Sequence, residues 1–338
     1  MSNRVFKWFA SLMLIFMATM QTACVHEFPD HPETRRVNLR VTHQLTWTLY
    51  DHVMAGRSTR TIDDDQWMYV EYLFEVHPAG MTDNPIMRFR EYVEYSDRLP
   101  MSTVVELPPG EYDIWIWSQF IDPVTGEAPY FDTTSFGDIK LKGPYVGNTY
   151  QKDAHRGCVR VIVPDTNASQ VNLNYEVELT RPFTAHAFIA TDVDEFVEME
   201  TKRRSQDTRA GETPDIDFSK YTAKVIHTGY MINEYSMFRD RPIDSTLGIT
   251  YTGPLEVTPE GEVLIAYDTF FINGEESTLS LSIEIYDPQG KLVSSVGSIT
   301  IPTKLNRGTI VRGNFLTSTS SGGVGIDSEF EGDFNIRI

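Results

Sequence analysis

Residues 107–120 read Leu107-Pro108-Pro109-Gly110-Glu111-Tyr112-Asp113-Ile114-Trp115-Ile116-Trp117-Ser118-Gln119-Phe120, and this stretch decides the fold class. Proline fixes φ and glycine tolerates values other residues avoid, so Pro108-Pro109-Gly110 is a turn. Beyond it, Tyr112, Ile114, Ile116 and Ser118 alternate with Asp113, Trp115, Trp117 and Gln119. That two-residue period is a strand's, since successive side chains point to opposite faces of a sheet. Residues 103–107 lead into the turn as a second extended run.

The same pattern recurs in both directions. Residues 37–42, 67–76 and 87–95 alternate. In 67–76, Val70, Tyr72, Phe74 and Val76 share one side, and Glu71 and Glu75 the other. Residues 157–163 close this half. Further on, 171–179, 221–230, 262–272, 279–286, 291–301, 308–316 and 330–338 read as strands, with Asp287-Pro288-Gln289-Gly290 a turn between two of them. A helix is indicated only near 192–200. The charged, apolar-poor segment 198–220 (EMETKRRSQDTRAGETPDIDFSK) is expected to be a surface loop. The polar cluster 164–169 (PDTNAS) marks the best boundary, giving domains at 37–166 and 167–338. Many short strands at this spacing predict an all-β chain of two tandem β-sandwich domains.

The N-terminus speaks to location. Arg4 and Lys7 precede an uncharged run, 8–20 (WFASLMLIFMATM), followed by Thr22, Ala23 and Cys24. This is the layout of an export signal. The run is too short to span a bilayer, which takes about 20 residues. Cys24 stands where a bacterial lipoprotein signal peptidase cuts and leaves an acylated cysteine. Gln21 departs from the Leu-like residue usual three positions earlier. The alternative is an ordinary secretory signal with an incidental cysteine. The expected layout is a signal peptide at 1–23 and a lipidated tether at 24–36, with the outer membrane reached through acyl chains on Cys24.

Removing the first 23 of 338 residues leaves 315, which suits two domains. It takes the formal net charge from −19 to about −21. With no basic stripe, such a chain is not expected to bind nucleic acid. The other cysteine, Cys158, sits in a strand-like run (RGCVRVIV), where a buried structural thiol is expected. With Cys24 acylated, no internal disulfide is expected.

The sequence holds no His-Glu-x-x-His, no Gly-x-Ser-x-Gly and no phosphate-cradling glycine loop. Its eight histidines are spread out, and His186 and His227, within strand-like runs, read as structural. Asp63-Asp64-Asp65 lacks the spaced oxygens of a calcium loop and reads as a solvated turn. Trp47, Trp67, Trp115 and Trp117 are expected in cores rather than on a sugar-binding face. No catalytic residue, cofactor or metal is expected.

Several fragments, in this order and spacing, carry a resemblance. They include Leu107-Pro108-Pro109-Gly110-Glu111-Tyr112, Asp153-Ala154-His155-Arg156-Gly157 and Leu179-Thr180-Arg181-Pro182-Phe183. Phe188-Ile189-Ala190-Thr191-Asp192, Phe238-Arg239-Asp240-Arg241-Pro242 and Ala266-Tyr267-Asp268-Thr269-Phe270-Phe271 follow, then Ile285-Tyr286-Asp287 and Gly313-Asn314-Phe315-Leu316-Thr317. Together they resemble the FimB-type fimbrial anchor family of Bacteroidales type V pili. The resemblance implies two transthyretin-like, Greek-key β-sandwiches, a lipid anchor in the outer membrane, no enzymatic activity, and fimbrial stalk or accessory pilins as partners. It does not separate an anchor from an accessory or tip-like subunit. The alternative is a surface lipoprotein that binds glycans or host ligands. Pilins of this class polymerise by donating a strand. Phe330, Phe334, Ile336 and Ile338 share one parity after a Ser/Thr/Gly-rich stretch, 317–325, and form the candidate assembly strand. Pairing within its own domain is the favoured expectation, because local closure costs less loop entropy; donation to a neighbour is the other.

Overall fold

The computed structural model describes residues 34–44, 69–94, 101–149, 151–165, 173–207, 216–258, 261–318, 324–325 and 334–337. Almost all their regular structure is strand. The chain begins with β1 (Arg35–His43), β2 (Tyr69–Pro78), β3 (Met87–Glu94), β4 (Met101–Leu107) and β5 (Gly110–Ile121). The short β6 (Phe131–Asp132) and β7 (Ile139–Leu141) precede β8 (Ala154–Val163), β9 (Leu173–Leu179) and β10 (Phe183–Ala190). One α-helix, α1 (Val193–Asp207), comes next. After it run β11 (Thr222–His227), β12 (Met231–Ser236), β13 (Arg241–Thr246), β14 (Thr250–Pro254), β15 (Glu256–Val257) and β16 (Val263–Phe271). The last are β17 (Glu276–Tyr286), β18 (Leu292–Lys304), β19 (Gly308–Gly313), β20 (Val324–Gly325) and β21 (Phe334–Arg337). Among the described residues, no helix is long and apolar enough to cross a membrane.

Two sheets form the first sandwich, β4-β1-β9 and β3-β2-β5-β8. Alternation does the work: Val37, Leu39 and Val41 of β1 meet Tyr72, Phe74 and Val76 of β2 and Ile114 and Ile116 of β5 in one core. Each such side chain gains about 1.5–3 kcal/mol on full burial. Tyr112 donates its hydroxyl to the Pro108 carbonyl at 3.0 Å, pinning the turn that carries the chain from one sheet to the other. β9 pairs in parallel with β1, from Val37↔Leu173 to His43↔Leu179. The residues expected to open the second domain at 167 therefore include a strand of the first sandwich. A polar, turn-rich cluster marks a change of direction, and cannot specify which sheet the next strand joins. The chain changes cores between Leu179 and Phe183.

The second sandwich packs β15-β16-β10-β19-β21 on β14-β11-β17-β18-β20. Leu279, Leu281, Ile283 and Ile285 line the core side of β17. Opposite them, Leu281 pairs with Ile299 but Ile283 with Val296, so β18 carries one extra residue there. Ser298, at φ 53°, is part of that bulge, and the bulge lets both Val296 and Ile299 face inward.

A third sheet, β13-β12-β7-β6, takes two strands from each half of the chain. Under it lies a shared core of Leu73, Trp117, Phe131, Ile139, Phe183, Tyr235 and Phe271 among others. Tyr235 stacks on Phe271 at 5.0 Å between centroids, and Trp117 meets Phe131 edge-on at 5.5 Å. The outer face of β2 is consequently covered. Glu71 and Glu75 are only 4% and 3% exposed and are paired with Arg90 and Arg88, each at 3.1 Å.

Two further expectations are corrected. Residues 198–207, read as loop, are the last ten of the fifteen residues of α1. Some of their charges find partners: buried Glu200 accepts from Tyr221 at 2.9 Å and Arg203 at 2.8 Å, and Arg203 also reaches Asp287 at 2.9 Å. Phe196 anchors the helix in the second core. Cys158 is exposed rather than buried, because its parity on β8 is opposite to that of core-facing Val161 and Val163. Its sulfur is still partly desolvated, and with Asp113 adding repulsion the thiol is pushed up to about 12.

Candidate functional site

The pentapeptide Lys152-Asp153-Ala154-His155-Arg156, at the start of β8, makes three charge pairs with the second half of the chain or the crossing into it. Lys152 contacts Asp268 of β16. Asp153 takes Arg181 in a two-pronged pair, Nε to Oδ1 and Nη2 to Oδ2, both 2.7 Å. Arg156 reaches Asp240 at 2.5 Å, and Tyr235 donates to the same carboxylate. Ala154 itself is fully buried in the shared core. Parallel N–H···O bonds to a carboxylate are the strong, directional form of ion pair. Here they hold the crossing from β9 to β10 against the edge of β8. Backbone bonds between Arg156 and Thr180, at 2.8 and 2.9 Å, reinforce it.

Around Lys152 and Asp268 lies a buried polar cluster. Tyr145 donates to Asp268 Oδ2 at 2.5 Å. Lys152 Nζ also donates to the Val146 carbonyl at 2.9 Å and to Tyr145 Oη at 3.1 Å. Tyr251 Oη stands 3.5 Å from His186 Nε2, and the His186 and His227 rings are 6.4 Å apart. Burial is the largest cause of the shifts at Lys152, Tyr145, His186 and His227. It lowers Lys152 against the pull of Asp268 and raises Tyr145 well above a phenol's usual range. It holds His186 well below the ordinary imidazole value, helped by His227 and Lys152, and brings His227 down to about 4. A second histidine pair sits by Arg181. Burial lowers His43 to about 4 and holds His155 well below the ordinary imidazole value, with Arg181 and His43 adding to the effect. These imidazoles are neutral near pH 7. Among the described residues, no three His, Cys, Asp or Glu side chains are grouped to hold a metal ion.

The fragments that carried the resemblance thus meet in space. Asp153 with Arg181 and Arg156 with Asp240 each join two fragments, and Lys152, the residue before the first of them, meets Asp268 of another. Asp192 accepts from the Leu316 and Thr317 amides at 3.1 and 2.7 Å, tying β10 to the segment after β19. Gly157 has a steric reason, since a Cβ there would stand 2.6 Å from Leu179 Cδ2. Sequence reasoning missed these charges as a site. The signal was a lone charge in an apolar run, Asp268 in 263–271 and Arg181 just before β10, which must find a partner when buried.

Two of the candidate assembly residues fall at a sheet edge. Phe334 and Ile336 lie in β21, which pairs in parallel with β19 of its own chain, from Thr309↔Phe334 to Arg312↔Arg337. Among the described residues, β20 pairs with β18 at Ile299↔Val324 and Thr300↔Gly325. Phe330, Ile338, Cys24, Trp47, Trp67 and Asp63-Asp64-Asp65 lie outside the described residues. Trp117 is in the shared core, and Trp115 packs edge-on against Phe238 at 5.2 Å.

Among solved structures, a candidate adhesin from Bacteroides ovatus is similar over 78% of this chain and 77% of its own, with 16% identity and a TM-score of 0.41. A candidate cell adhesion protein from Bacteroides ovatus covers 82% and 91%, with 9% identity and a TM-score of 0.43. The fimbrial anchor protein Mfa2 from Porphyromonas gingivalis covers 78% and 81%, with 9% identity and a TM-score of 0.37. No curated protein matches the sequence. The family described as a family of unknown function, DUF6562, matches residues 32–338, and the chain belongs to that family.

Proposed function

We propose that this chain is a non-enzymatic structural subunit of a cell-surface fimbrium. Acyl chains on Cys24 hold it at the outer membrane, and β-strand contacts join it to stalk or accessory pilins, so that it anchors, initiates or terminates the fibre. The observation that carries this reading is the C-terminal edge of the second sandwich. There the five-stranded sheet ends in β21, four residues long, and the facing sheet ends in the two-residue β20. Both are in parallel pairing; β20 forms the end of the Ser/Thr/Gly-rich stretch and β21 follows it. A short terminal strand occupies in cis the edge that a longer strand from a neighbour would take, with more main-chain hydrogen bonds and pockets for alternate side chains. The layout of residues 4–24 and the family-like fragments support the location and the class.

Affinity purification of the full chain from membranes tests this. A pilin subunit should copurify, and Cys24→Ser should move both into the soluble fraction, because the acyl chains on Cys24 are the proposed hold on the membrane. A chain that purifies alone, or a Cys24→Ser variant that stays with membranes after a carbonate wash, overturns it.

A further inference from the structure

We infer that Lys152 and Asp268 are joined by an intramolecular amide bond, Lys152 Nζ to Asp268 Cγ, which the folded chain forms on itself. The geometry is that of two reactants held together with water excluded. Lys152 is 2% exposed and Asp268 fully buried, and Nζ lies in contact with Oδ1. The Val146 carbonyl at 2.9 Å and the Tyr145 hydroxyl at 3.1 Å fix the orientation of the amine, and Nζ sits 4.2 Å from the centre of the Tyr145 ring. The Tyr145, His227 and Tyr251 rings stand 5.9–6.2 Å apart around the pair.

The chemistry follows from burial. An ammonium and a carboxylate survive side by side in water because each is hydrated. Removed from water they cost several kcal/mol apiece to keep charged, so moving one proton from Nζ to Oδ1 gives an accessible neutral pair. The lone pair of the resulting amine then attacks Cγ. The C=O π pair moves to Oδ2, where the Tyr145 hydroxyl, 2.5 Å away, donates a hydrogen bond to the developing charge. Collapse re-forms that C=O bond and breaks Cγ–Oδ1. The departing Oδ1 hydroxyl takes a second proton from nitrogen and leaves as water. The ammonium's three protons are accounted for as one on the amide and two in the water, and no oxidant or co-reactant is needed. Holding the reactants in place supplies the effective concentration that makes an unassisted condensation feasible. The protonation tendencies agree, since burial lowers the lysine, easing loss of its proton, and raises the tyrosine, keeping it a donor. The product would link the start of β8 to β16, residues 116 apart in sequence, and would eliminate both buried charges.

Tryptic peptide mass spectrometry of the purified full chain decides the matter. With the bond, trypsin cannot cut after Lys152. Peptide 143–156 should then appear joined to peptide 240–291, at a mass one water below the sum of the two. Lys152→Arg keeps a cation beside Asp268 but cannot form the amide, and should give the unlinked peptides. Cleavage after Lys152 in the wild-type chain, with 240–291 at its unlinked mass, overturns the inference. So does a linked species that persists in Lys152→Arg.

Discussion

Replacing Asp153 by alanine should test the crossing directly. The carboxylate and its partner Arg181 are 6% and 4% exposed at their side chains, so the guanidinium left behind has little access to water. Breaking a buried pair by removing one partner costs about 3–5 kcal/mol. Arg181 Nη1 keeps a contact with the Gln44 carbonyl at 3.4 Å, which favours the lower figure, about 3 kcal/mol. That is about a fifth to three fifths of the stability of an ordinary domain, which is about 5–15 kcal/mol. Urea unfolding followed by tryptophan fluorescence reads it, because Trp117 lies in the adjoining shared core. The midpoint should fall sharply in Asp153→Ala and recover in part when Arg181 is also replaced by leucine, which removes the orphaned charge. A loss below about 1 kcal/mol, or single losses that simply add in the double variant, would refute the claim that this pair holds the crossing.

Other expectations follow from the same packing. Phe271→Ala removes a ring buried against Phe183 and Tyr235 and should cost about 3–5 kcal/mol, seen as a lower thermal midpoint; an unchanged midpoint would dismiss the shared core. His43 and His227 titrate near 4 in the folded chain and near 6.5 when unfolded, so the unfolded state takes up protons first. Stability should be full above about pH 6.5 and fall toward pH 4, by up to about 1.4 kcal/mol per pH unit for each histidine; a thermal midpoint flat between pH 7 and pH 5 would contradict their burial. Ser298→Gly relieves a positive φ of 53° and should stabilise by a few tenths of a kcal/mol to about 1; a loss in calorimetry would show that the bulge needs its side chain.

What could be read from the chain depended on how many faces of each strand are buried. β1, β4 and β17 cover one face, so Val37-Leu39-Val41, Thr103-Val105-Leu107 and Leu279-Leu281-Ile283-Ile285 announce themselves by alternation. β10 and β16 are buried along their whole length; β10 shows no period and is legible only as the strand-like run around His186, while β16 reads as a strand from its apolar run. The third sheet was illegible because β6, β7, β12 and β13 are short, and their pairing, such as Glu234↔Lys140, joins residues 94 apart. The charged end of α1 reads as loop until Glu200 is seen to have Arg203 and Tyr221 as partners. The polar site was legible only as fragments. Asp153, Arg181, Asp240 and Asp268 were each on the page, but spacing alone does not say which charge meets which.

Electron microscopy of cells lacking this chain addresses its role most directly. With the wild-type chain restored, fimbriae of normal number should be seated on the cell surface. Without it, or with Cys24→Ser in its place, fimbriae should be missing from the surface or shed into the medium. Fimbriae unchanged in number, length and attachment in the cells that lack the chain would contradict its assignment as a fimbrial subunit.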